Sequence, residues 1–406
     1  MKKILWIVAA IEDIGGGERL LFEGLDYFQE SNVDVKVVTW RLNQKAFFDG
    51  TYSFDNIELL ESQKKTSRNN IFSHASNRAK SFIRLYKIAK SYNPDLILCQ
   101  SEFDTIFAGV LAKLLSKPYS VLIFGQTYQF PWDWVKYTLL WKKHLRTIVD
   151  SCQGYKSTIP LEPPKIKLRN RLMIEFLALV RYYFVRKANN TYTLSSQVQW
   201  ECECIYGIKP KILRAGFSEK KLTERAEIFG NRVKNGPIIN FVMLSRLVKK
   251  KRVDLAIKAF KDIKLPKEWH LTILGGGEEL SNLNRLVLGL QLEDRVSLTG
   301  RVSDADLQRH LSSSDVFINM DVGDFEITVI EAMSFGLYVV VSSDFVIDSD
   351  FREYSAIHAV HPEKIALRGF LEDELCDRLI QNKPKFSALK NFTWQYYFSS
   401  IIKDLK

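Results

Sequence analysis

Apolar, strand-like runs alternate with amphipathic, helix-like segments along this chain, and the alternation occurs in two series. The first series begins with KILWIVAA and continues through GGGERLLFEGLDYFQES to VDVKVVTW. The second begins near residue 237 with PIINFVMLSRL, RVDLAIKAFKDI and WHLTILGGG. Buried strands that alternate with helices are typical of parallel sheets with right-handed crossovers. The pattern therefore predicts an α/β protein with two doubly wound, Rossmann-like sheets.

The length of the chain supports a division into two domains. With 406 residues the chain exceeds what one hydrophobic core of ordinary size holds. The polar, weakly patterned stretch 215–236 between the two series is predicted to be an interdomain linker. The predicted domains are then 1–214 and 237–385, followed by a C-terminal helix over 386–406. Two parallel sheets that face each other would share one cleft at the carboxyl ends of their strands.

Composition narrows the classes of partner and site. The formal net charge of +11 favours an anionic partner, such as a phosphorylated substrate, an anionic membrane surface or nucleic acid, although a basic balance alone requires none of them. No segment resembles a nucleic-acid-binding module, so no nucleic-acid partner is expected. The five cysteines and six histidines are scattered, and we predict no metal site. Unpaired, scattered cysteines fit a reducing cytosol.

The N-terminal apolar run is predicted to be a buried strand. ILWIVAAI is short, acidic residues follow it at once, and no small-residue cleavage site follows, so a signal peptide is not expected. No run of about 18 apolar residues occurs, so no membrane-spanning helix is predicted. We expect a cytoplasmic protein, peripheral at the inner face of the cytoplasmic membrane.

A glycine run follows the first predicted strand. Gly15, Gly16 and Gly17 precede a helix, where a glycine backbone approaches a ligand closely and a helix N-terminus favours an anion. A tight turn without a ligand is the alternative. Leu20 stands where a dinucleotide-binding fingerprint requires glycine, so a nicotinamide site is not expected.

A basic loop follows the first strand of the second series. Arg246 lies just past the strand, and the lysine run that ends at Lys251 precedes a helix. Arginine offers a fork to phosphate oxygens and lysine a point charge, so the two residues together would neutralise a diphosphate at the carboxyl edge of the sheet. The alternative is a solvated basic loop.

Four motifs of the second series, in their order along the chain, resemble the nucleotide-sugar half of the family 4 retaining glycosyltransferases, which have the GT-B fold. They are SRLVKKKRVDLAIKAF, LTILGGGEEL, LQLEDRVSLTGRV and VIEAMSFGLYVVVSSD. GGGERLLFEGL resembles the N-terminal glycine loop of that family, YTLSSQVQWECECIYGIKPKILRAGF its interdomain segment, and FTWQYYFSSIIKDL its last helix, which crosses back onto the N-terminal domain. The resemblance covers most of the chain and is strongest over about 238–345.

The resemblance implies a GT-B architecture, two Rossmann-like domains facing across a cleft. It implies retaining transfer of a sugar from a nucleotide-diphosphate sugar to a glycan or lipid-linked acceptor, in the synthesis of a cell-surface polysaccharide or glycoconjugate. No metal and no cofactor beyond the donor co-substrate are implied. The N-terminal domain would bind the acceptor and the C-terminal domain the nucleotide sugar.

The resemblance also assigns donor-site residues. It gives Arg246 and Lys251 the catalytic task of stabilising the departing diphosphate, and Glu331 the ribose hydroxyls of the nucleotide. Ile327 and Thr328 correspond to positions whose backbone amides meet the donor phosphate or sugar. In the N-terminal half, the glycine loop that closes against donor and acceptor contains two matching positions, Gly16 and Gly17.

The chain departs from the family pattern in the donor-sugar region. The family usually has a glutamate eight residues before the one that matches Glu331, and here that position is Gly323. Among the nearby acids, Asp321, Asp324 and Glu326, we favour Asp324 as a shifted sugar contact. Glu326 stands where the family usually has glycine, and it is the other candidate for the donor site.

A second departure lies after the strand PYSVLIF. The family often has a histidine there, and this chain has Phe124 and Gly125. Together the two departures keep open a catalytically silent GT-B scaffold or regulator of a partner glycosyltransferase. A nucleotide-sugar epimerase or a phosphorylase with a similar two-domain fold is a further alternative.

Two aromatic and basic segments, over about 130–187, suit a membrane surface. On a helical wheel, PWDWVKYTLLWKKHLRTI places its large apolar residues on one face and its lysines and arginine mostly on the other. The apolar face consists of Trp134, Tyr137, Trp141, Leu145 and Ile148. KIKLRNRLMIEFLALVRYYFVRK then surrounds an aromatic-rich apolar stretch with basic residues. The alternative is that the apolar faces pack into the domain core.

Overall fold

The computed structural model describes residues 1–12, 15–43, 53–60, 71–124, 138–144, 167–230, 236–321, 323, 325–345, 347–381 and 384–404, with backbone alone for 71–79. These residues form two compact units. The first unit contains Met1–Ser151, Thr158–Leu213 and Tyr397–Lys406, and the second contains Arg214–Tyr396.

The first unit is built on a parallel sheet, in which seven strands are found within the described residues. The strands are β1 (Lys2–Ile11), β2 (Val33–Leu42), β3 (Ile57–Leu59), β4 (Leu96–Cys99), β5 (Tyr119–Ile123), β6 (Asn190–Thr193) and β7 (Lys211–Ile212). The helices are α1 (Gly16–Glu30), α2 (Ile71–Tyr92), α3 (Thr105–Leu115), α4 (Leu168–Lys187) and α5 (Ser196–Tyr206). The order in the sheet is β3-β2-β1-β4-β5-β6-β7, and every pairing is parallel.

The second unit repeats this plan, with six strands among the described residues. The strands are β8 (Ile238–Leu244), β9 (Glu268–Leu274), β10 (Val296–Gly300), β11 (Val316–Asn319), β12 (Tyr338–Ser342) and β13 (Ile357–Val360). The α-helices are α6 (Glu219–Gly230), α7 (Val253–Ala259), α8 (Leu280–Gly289), α9 (Asp304–Ser313), α10 (Ile327–Ser334), α11 (Ser349–Glu353), α12 (Lys364–Asp373) and α13 (Leu375–Gln381). The last helix, α14 (Trp394–Lys403), begins in the second unit and belongs to the first unit from Tyr397 onward. Two 3-10 turns cover Lys249–Lys251 and Phe386–Phe392.

In both sheets the first strand lies in the interior of the sheet, and later strands are added on both sides of it. The chain moves from β1 to β2 and β3 on one side, and then returns to place β4 beside β1. In the same way β11 returns beside β8 after β9 and β10. Loops on the two sides of such a reversal turn to opposite faces of the sheet and leave a crevice at the carboxyl ends of the two strands. The predicted doubly wound α/β fold is confirmed, and its crevices locate the candidate sites.

Local sequence explains why these elements form. The centre of β1, Ile4 to Ile7, is fully buried, as expected for a strand covered on both faces. Ser195 and Ser303 cap α5 and α9, since each hydroxyl accepts a hydrogen bond from a backbone N–H of the first turn. Among the described residues, no helix is long and apolar enough to cross a membrane.

Part of the predicted linker is helical. Residues 219–230 form α6, which belongs to the second unit. Leu222 and Arg225 are its buried positions. Because a single aliphatic residue and an arginine make up the buried face, the apolar periodicity of this segment is weak and the sequence pattern did not indicate a helix.

The second glycine run packs directly on the loop that follows β8. A Cβ atom at Gly275, whose φ is +130°, would lie 1.9 Å from the carbonyl oxygen of Ser245, and one at Gly277 would lie 2.3 Å from that of Leu247. The Leu247 N–H donates to the carbonyl of Gly276 at 2.9 Å. The run therefore fixes the loop that carries Arg246.

Substitution of Gly275 by alanine is expected to destabilise the protein by about 1–3 kcal/mol, because the methyl group meets backbone atoms that have no room to move. Gly289→Ala is the matched control, since a Cβ atom at Gly289 meets nothing within 4 Å. The control should leave the urea unfolding midpoint unchanged or raise it slightly. Equal losses in the two variants would contradict the packing role of the glycine run.

Candidate functional site

The crevice between β8 and β11 gathers the basic loop and two acids. Lys251 ends the 3-10 turn between β8 and α7. Asp321 follows the end of β11 by two residues, and Glu326 immediately precedes α10. The carboxyl ends of neighbouring parallel strands meet at one edge, so residues that are 70 and 75 positions apart come together.

The ammonium group of Lys251 is held between the two carboxylates. Its Nζ donates to Oδ2 of Asp321 at 2.5 Å and to Oε1 of Glu326 at 2.8 Å. The side chain of Lys251 is 10% exposed, that of Asp321 1% and that of Glu326 23%. Removing one partner from a buried ion pair leaves a desolvated charge behind, so the three groups form a unit that we call the Lys251 triad.

In an ion pair each partner stabilises the charged form of the other. The pKa shifts of Lys251 and Glu326 follow this rule, and that of Asp321 does not. Burial opposes the charge of Lys251, but the carboxylates of Glu326 and Asp321 outweigh it and raise the lysine pKa. Burial opposes the charge of Glu326 as well, and Lys251 outweighs it and lowers the glutamate pKa. For Asp321 burial wins over Lys251 and raises the pKa to about 7. We take Asp321 as the group that takes up a proton first, because it is the most deeply buried.

The rest of the basic loop divides into exposed and paired residues. Arg246, Lys249 and Lys250 are exposed. Arg252 has a left-handed backbone with φ of 50°, and its Nη1 donates to Oδ2 of Asp344 at 2.7 Å. The loop that carries the buried Lys251 therefore also carries the exposed Arg246.

Glu331 lies on α10 and is buried. Its Oε1 is 3.7 Å from Nη2 of Arg225, which belongs to α6. Nη1 of the same arginine donates to the hydroxyl of Ser334 at 2.5 Å, and its guanidinium lies 4.0 Å from the ring centroid of Phe335. Sequence reasoning missed Arg225, which falls within the predicted linker and belongs to no motif.

The N-terminus of α10 adjoins the Lys251 triad, because the N-cap residue of this helix is Glu326. Ile327 and Thr328, both partly buried, begin the helix. Glu326 is the N-cap residue with an extended backbone, and its side chain makes no capping hydrogen bond. Because no capping side chain accepts from the first backbone N–H groups of α10, this helix N-terminus favours an anion. The predicted sugar contact Asp324 lies outside the described residues.

The glycine loop of the first unit is braced at the other strand reversal. Gly16 and Gly17 begin α1, just after β1. Gln100, directly after β4, donates from Nε2 to the carbonyl oxygen of Gly17 at 2.8 Å. The structure thus ties this loop to the neighbouring strand end, and its predicted closure against donor and acceptor stays a prediction.

The first aromatic and basic segment lies mostly outside the described residues, which include Trp141 but not Trp134, Tyr137, Leu145 or Ile148. Trp141 is fully buried and packs edge-on against Tyr206, with ring centroids 5.8 Å apart. For this tryptophan, packing into the domain core is the correct interpretation.

Among the described residues, no group of three or more histidine, cysteine, aspartate or glutamate side chains is arranged to hold a metal ion.

The raised pKa of Asp321 predicts a pH dependence of stability. The folded pKa of about 7 exceeds the ordinary value of 3.8, so the folded protein binds the proton more tightly than the unfolded chain does. The stabilisation from this group is complete at low pH and is lost as the pH rises through about 7. The free energy of unfolding of the unsubstituted protein, minus that of Asp321→Asn, should therefore fall between about pH 5 and about pH 8. A difference that stays flat or rises over this range would contradict the assignment.

Residues 224–386 match the family model for glycosyl transferases group 1. A GDP-mannose-dependent alpha-(1-6)-phosphatidylinositol monomannoside mannosyltransferase from Mycobacterium tuberculosis is 32% identical over 128 residues, which are 29% of this chain and 33% of that protein. The first three curated relatives are matched over only 10%, 20% and 33% of their own length.

Solved structures are similar over nearly the whole chain. The lipopolysaccharide outer core galactosyltransferase WaaB has a TM-score of 0.63 and 16% identity, with 99% of each chain covered. Alr3699/HepE from Anabaena in complex with UDP has a TM-score of 0.65 and 14% identity, with 100% of this chain and 99% of that chain covered. At such identities the similarity shows the fold, which is GT-B. The predicted fold is confirmed, and the roles of the individual site residues stay predictions.

Proposed function

We propose that this chain, whose residues 224–386 match the family model for glycosyl transferases group 1, transfers a sugar from a nucleotide-diphosphate donor to a glycan or lipid-linked acceptor, with retention of the anomeric configuration. The observation that carries the proposal is that one loop, at the strand reversal of the second sheet, carries both the exposed Arg246 and the buried Lys251. Neither an epimerase nor a phosphorylase gains support from a separate feature of the described residues.

The chemistry of the crevice suits a diphosphate leaving group. As the bond between the anomeric carbon and the diphosphate oxygen breaks, negative charge grows on the diphosphate. Arg246 supplies positive charge there, Lys251 adds its ammonium group once the diphosphate has replaced one of its carboxylate partners, and the first turn of α10 at Ile327 and Thr328 adds backbone N–H donors. Preorganised donors of this kind stabilise the developing charge more than the ground state.

The nucleoside end of the donor is assigned to α10. Glu331 lies one turn beyond Thr328 on this helix, and a carboxylate accepts hydrogen bonds from two adjacent ribose hydroxyls. In the structure this carboxylate lies 3.7 Å from the guanidinium group of Arg225. The arginine holds the buried glutamate side chain in position on α10.

Arg246→Ala is expected to weaken binding of the nucleoside diphosphate by about tenfold to a hundredfold, the value of one charge-assisted contact. Arg246 is exposed, so the variant should fold normally. Lys249→Ala is the matched control, because it removes one exposed positive charge from the same loop. Calorimetric titration with UDP, GDP and ADP would measure both.

If both substitutions weaken binding of the nucleoside diphosphate equally and only slightly, Arg246 makes no phosphate contact. The alternative interpretation, a solvated basic loop, is then correct. Transfer of radiolabelled sugar to an acceptor then separates an enzyme from a silent scaffold. A protein that binds a nucleotide sugar normally and transfers nothing with its natural acceptor would support the scaffold.

The acceptor side of the proposal rests on α4. Seen down its axis, this helix buries Ala178, Arg181 and Val185 toward its own unit. On the other side runs a stripe of exposed apolar residues, one turn after another. The stripe consists of Leu168, Leu172, Phe176, Leu179 and Tyr183.

Basic residues border this stripe, and Leu139, from the described segment 138–144, extends it. Arg169, Arg171 and Lys187 are exposed on α4. The backbone N–H of Leu139 donates to the carboxylate of Glu175 at 3.0 Å, so Leu139, which is 73% exposed, lies beside the stripe. Apolar side chains flanked by Arg and Lys fit an anionic lipid surface, with the apolar groups at the acyl boundary and the charges at the headgroups. We therefore assign the stripe to an anionic membrane, where a lipid-linked acceptor would be found.

Replacement of Phe176 by glutamate should abolish flotation of the protein with vesicles that contain phosphatidylserine or cardiolipin at low salt, because an apolar anchor becomes an anion. The matched control is Ile365→Glu, which changes an exposed isoleucine on α12 of the second unit and should float as the unsubstituted protein does. Flotation that is indifferent to anionic lipid, or equally reduced in both variants, would contradict the assignment.

A further inference from the structure

The carboxylate of Glu326 lies against the position of Gly323. A Cβ atom built at Gly323 would be 3.4 Å from both Cγ and Oε1 of Glu326, and 3.7 Å from Cδ2 of Phe345. Gly323 is buried, whereas the side chain of Glu326 is 23% exposed. The glutamate side chain therefore fills the space that a longer residue at 323 would enter, and it reaches the crevice from there.

In the structure, the ammonium group of Lys251 is engaged by two carboxylates. Both of its described contacts are to carboxylates, Asp321 at 2.5 Å and Glu326 at 2.8 Å. If both acids are ionised, the Lys251 triad carries one net negative charge, which repels a diphosphate. The ammonium has three N–H donors and two of them face carboxylates, so a diphosphate that takes more than one contact to Lys251 displaces one of the carboxylates or meets it after protonation.

Of the two acids, Glu326 is the one that is free to move. Asp321 is almost fully buried, and its backbone N–H donates to Oδ1 of Asn319 at 2.8 Å. Glu326 is partly exposed, and its contact to Lys251 runs through one oxygen, Oε1. The buried aspartate stays with the lysine, and the glutamate gives way.

Building on the donor site proposed above, we propose that Glu326 is a donor-selectivity residue. Its carboxylate accepts a hydrogen bond from Lys251 in the structure. When the diphosphate of a nucleotide sugar engages Lys251, the glutamate exchanges the lysine for hydroxyl groups of the donor sugar.

This exchange distinguishes the nucleotide sugar from the nucleoside diphosphate. With the sugar present, Glu326 replaces the lysine contact by hydroxyl donors, and a carboxylate accepts such bonds well. With the nucleoside diphosphate alone, the displaced carboxylate lies beside a highly charged anion without a donor to accept from. Glu326 should thus weaken binding of the product and favour its release after transfer.

The experiment compares two affinities in two proteins. UDP, GDP and ADP are first titrated into the unsubstituted protein, and the one that binds is used together with its glucose, galactose and mannose conjugates. Glu326→Gln removes the charge and keeps the shape. We expect the substitution to tighten binding of the nucleoside diphosphate by about tenfold and to weaken binding of the preferred nucleotide sugar, so that the preference for the sugar conjugate falls by tenfold or more.

Glu374→Gln serves as the matched control, because it also removes one carboxylate that pairs with a cation, here Arg378 at 2.8 Å, on the exposed part of the same unit. The control should leave both affinities unchanged. Asp324→Asn tests the other candidate for the sugar contact.

The outcomes separate the two proposals. If no nucleoside diphosphate binds the unsubstituted protein, the donor site fails and the role of Glu326 fails with it. If one binds, but the preference for its sugar conjugate is the same in Glu326→Gln, or is lost in Asp324→Asn and kept in Glu326→Gln, the donor site stands and the role of Glu326 is overturned.

Discussion

A lysine ammonium buried at the edge of a parallel sheet is the interaction on which the candidate site depends. Desolvation of Lys251 is unfavourable unless opposite charge is held within contact distance, and Asp321 and Glu326 supply it. Their positions require β11 to lie beside β8, and α10 to start directly after the loop that follows β11. The reversal of strand order is therefore the geometric condition for the charge arrangement, and the charge arrangement is what a diphosphate would compete with.

The main features of the fold could be predicted from the sequence because they follow from local patterns. Continuous apolar runs predicted buried strands, and the repeated alternation predicted two doubly wound sheets. The helix α6 escaped prediction, since Leu222 and Arg225 are too few to establish a periodicity. The sequence alone does not show that Arg225 is buried, because its partners Glu331 and Ser334 are more than 100 positions away along the chain.

Within the site, the residue types were predictable and their pairing was not. Motif order indicated Arg246 and Lys251, but the pairing of Lys251 with Asp321 and Glu326 joins residues 70 and 75 positions apart. The aromatic segments show the same limit. Helical spacing cannot say whether an apolar face is covered, and the structure covers Trp141 while it leaves Phe176 exposed. Tertiary packing decides such cases.

The central claim is that the crevice between β8 and β11 binds the diphosphate of a nucleotide sugar. The most direct test is a crystal structure of this protein with the nucleoside diphosphate that binds it. The account predicts phosphate oxygens at Arg246 and at the first amides of α10, ribose hydroxyls at Glu331, and Lys251 turned toward phosphate with Glu326 displaced. A nucleotide bound elsewhere, or one in this crevice that leaves the contact between Lys251 and Glu326 intact, would contradict it.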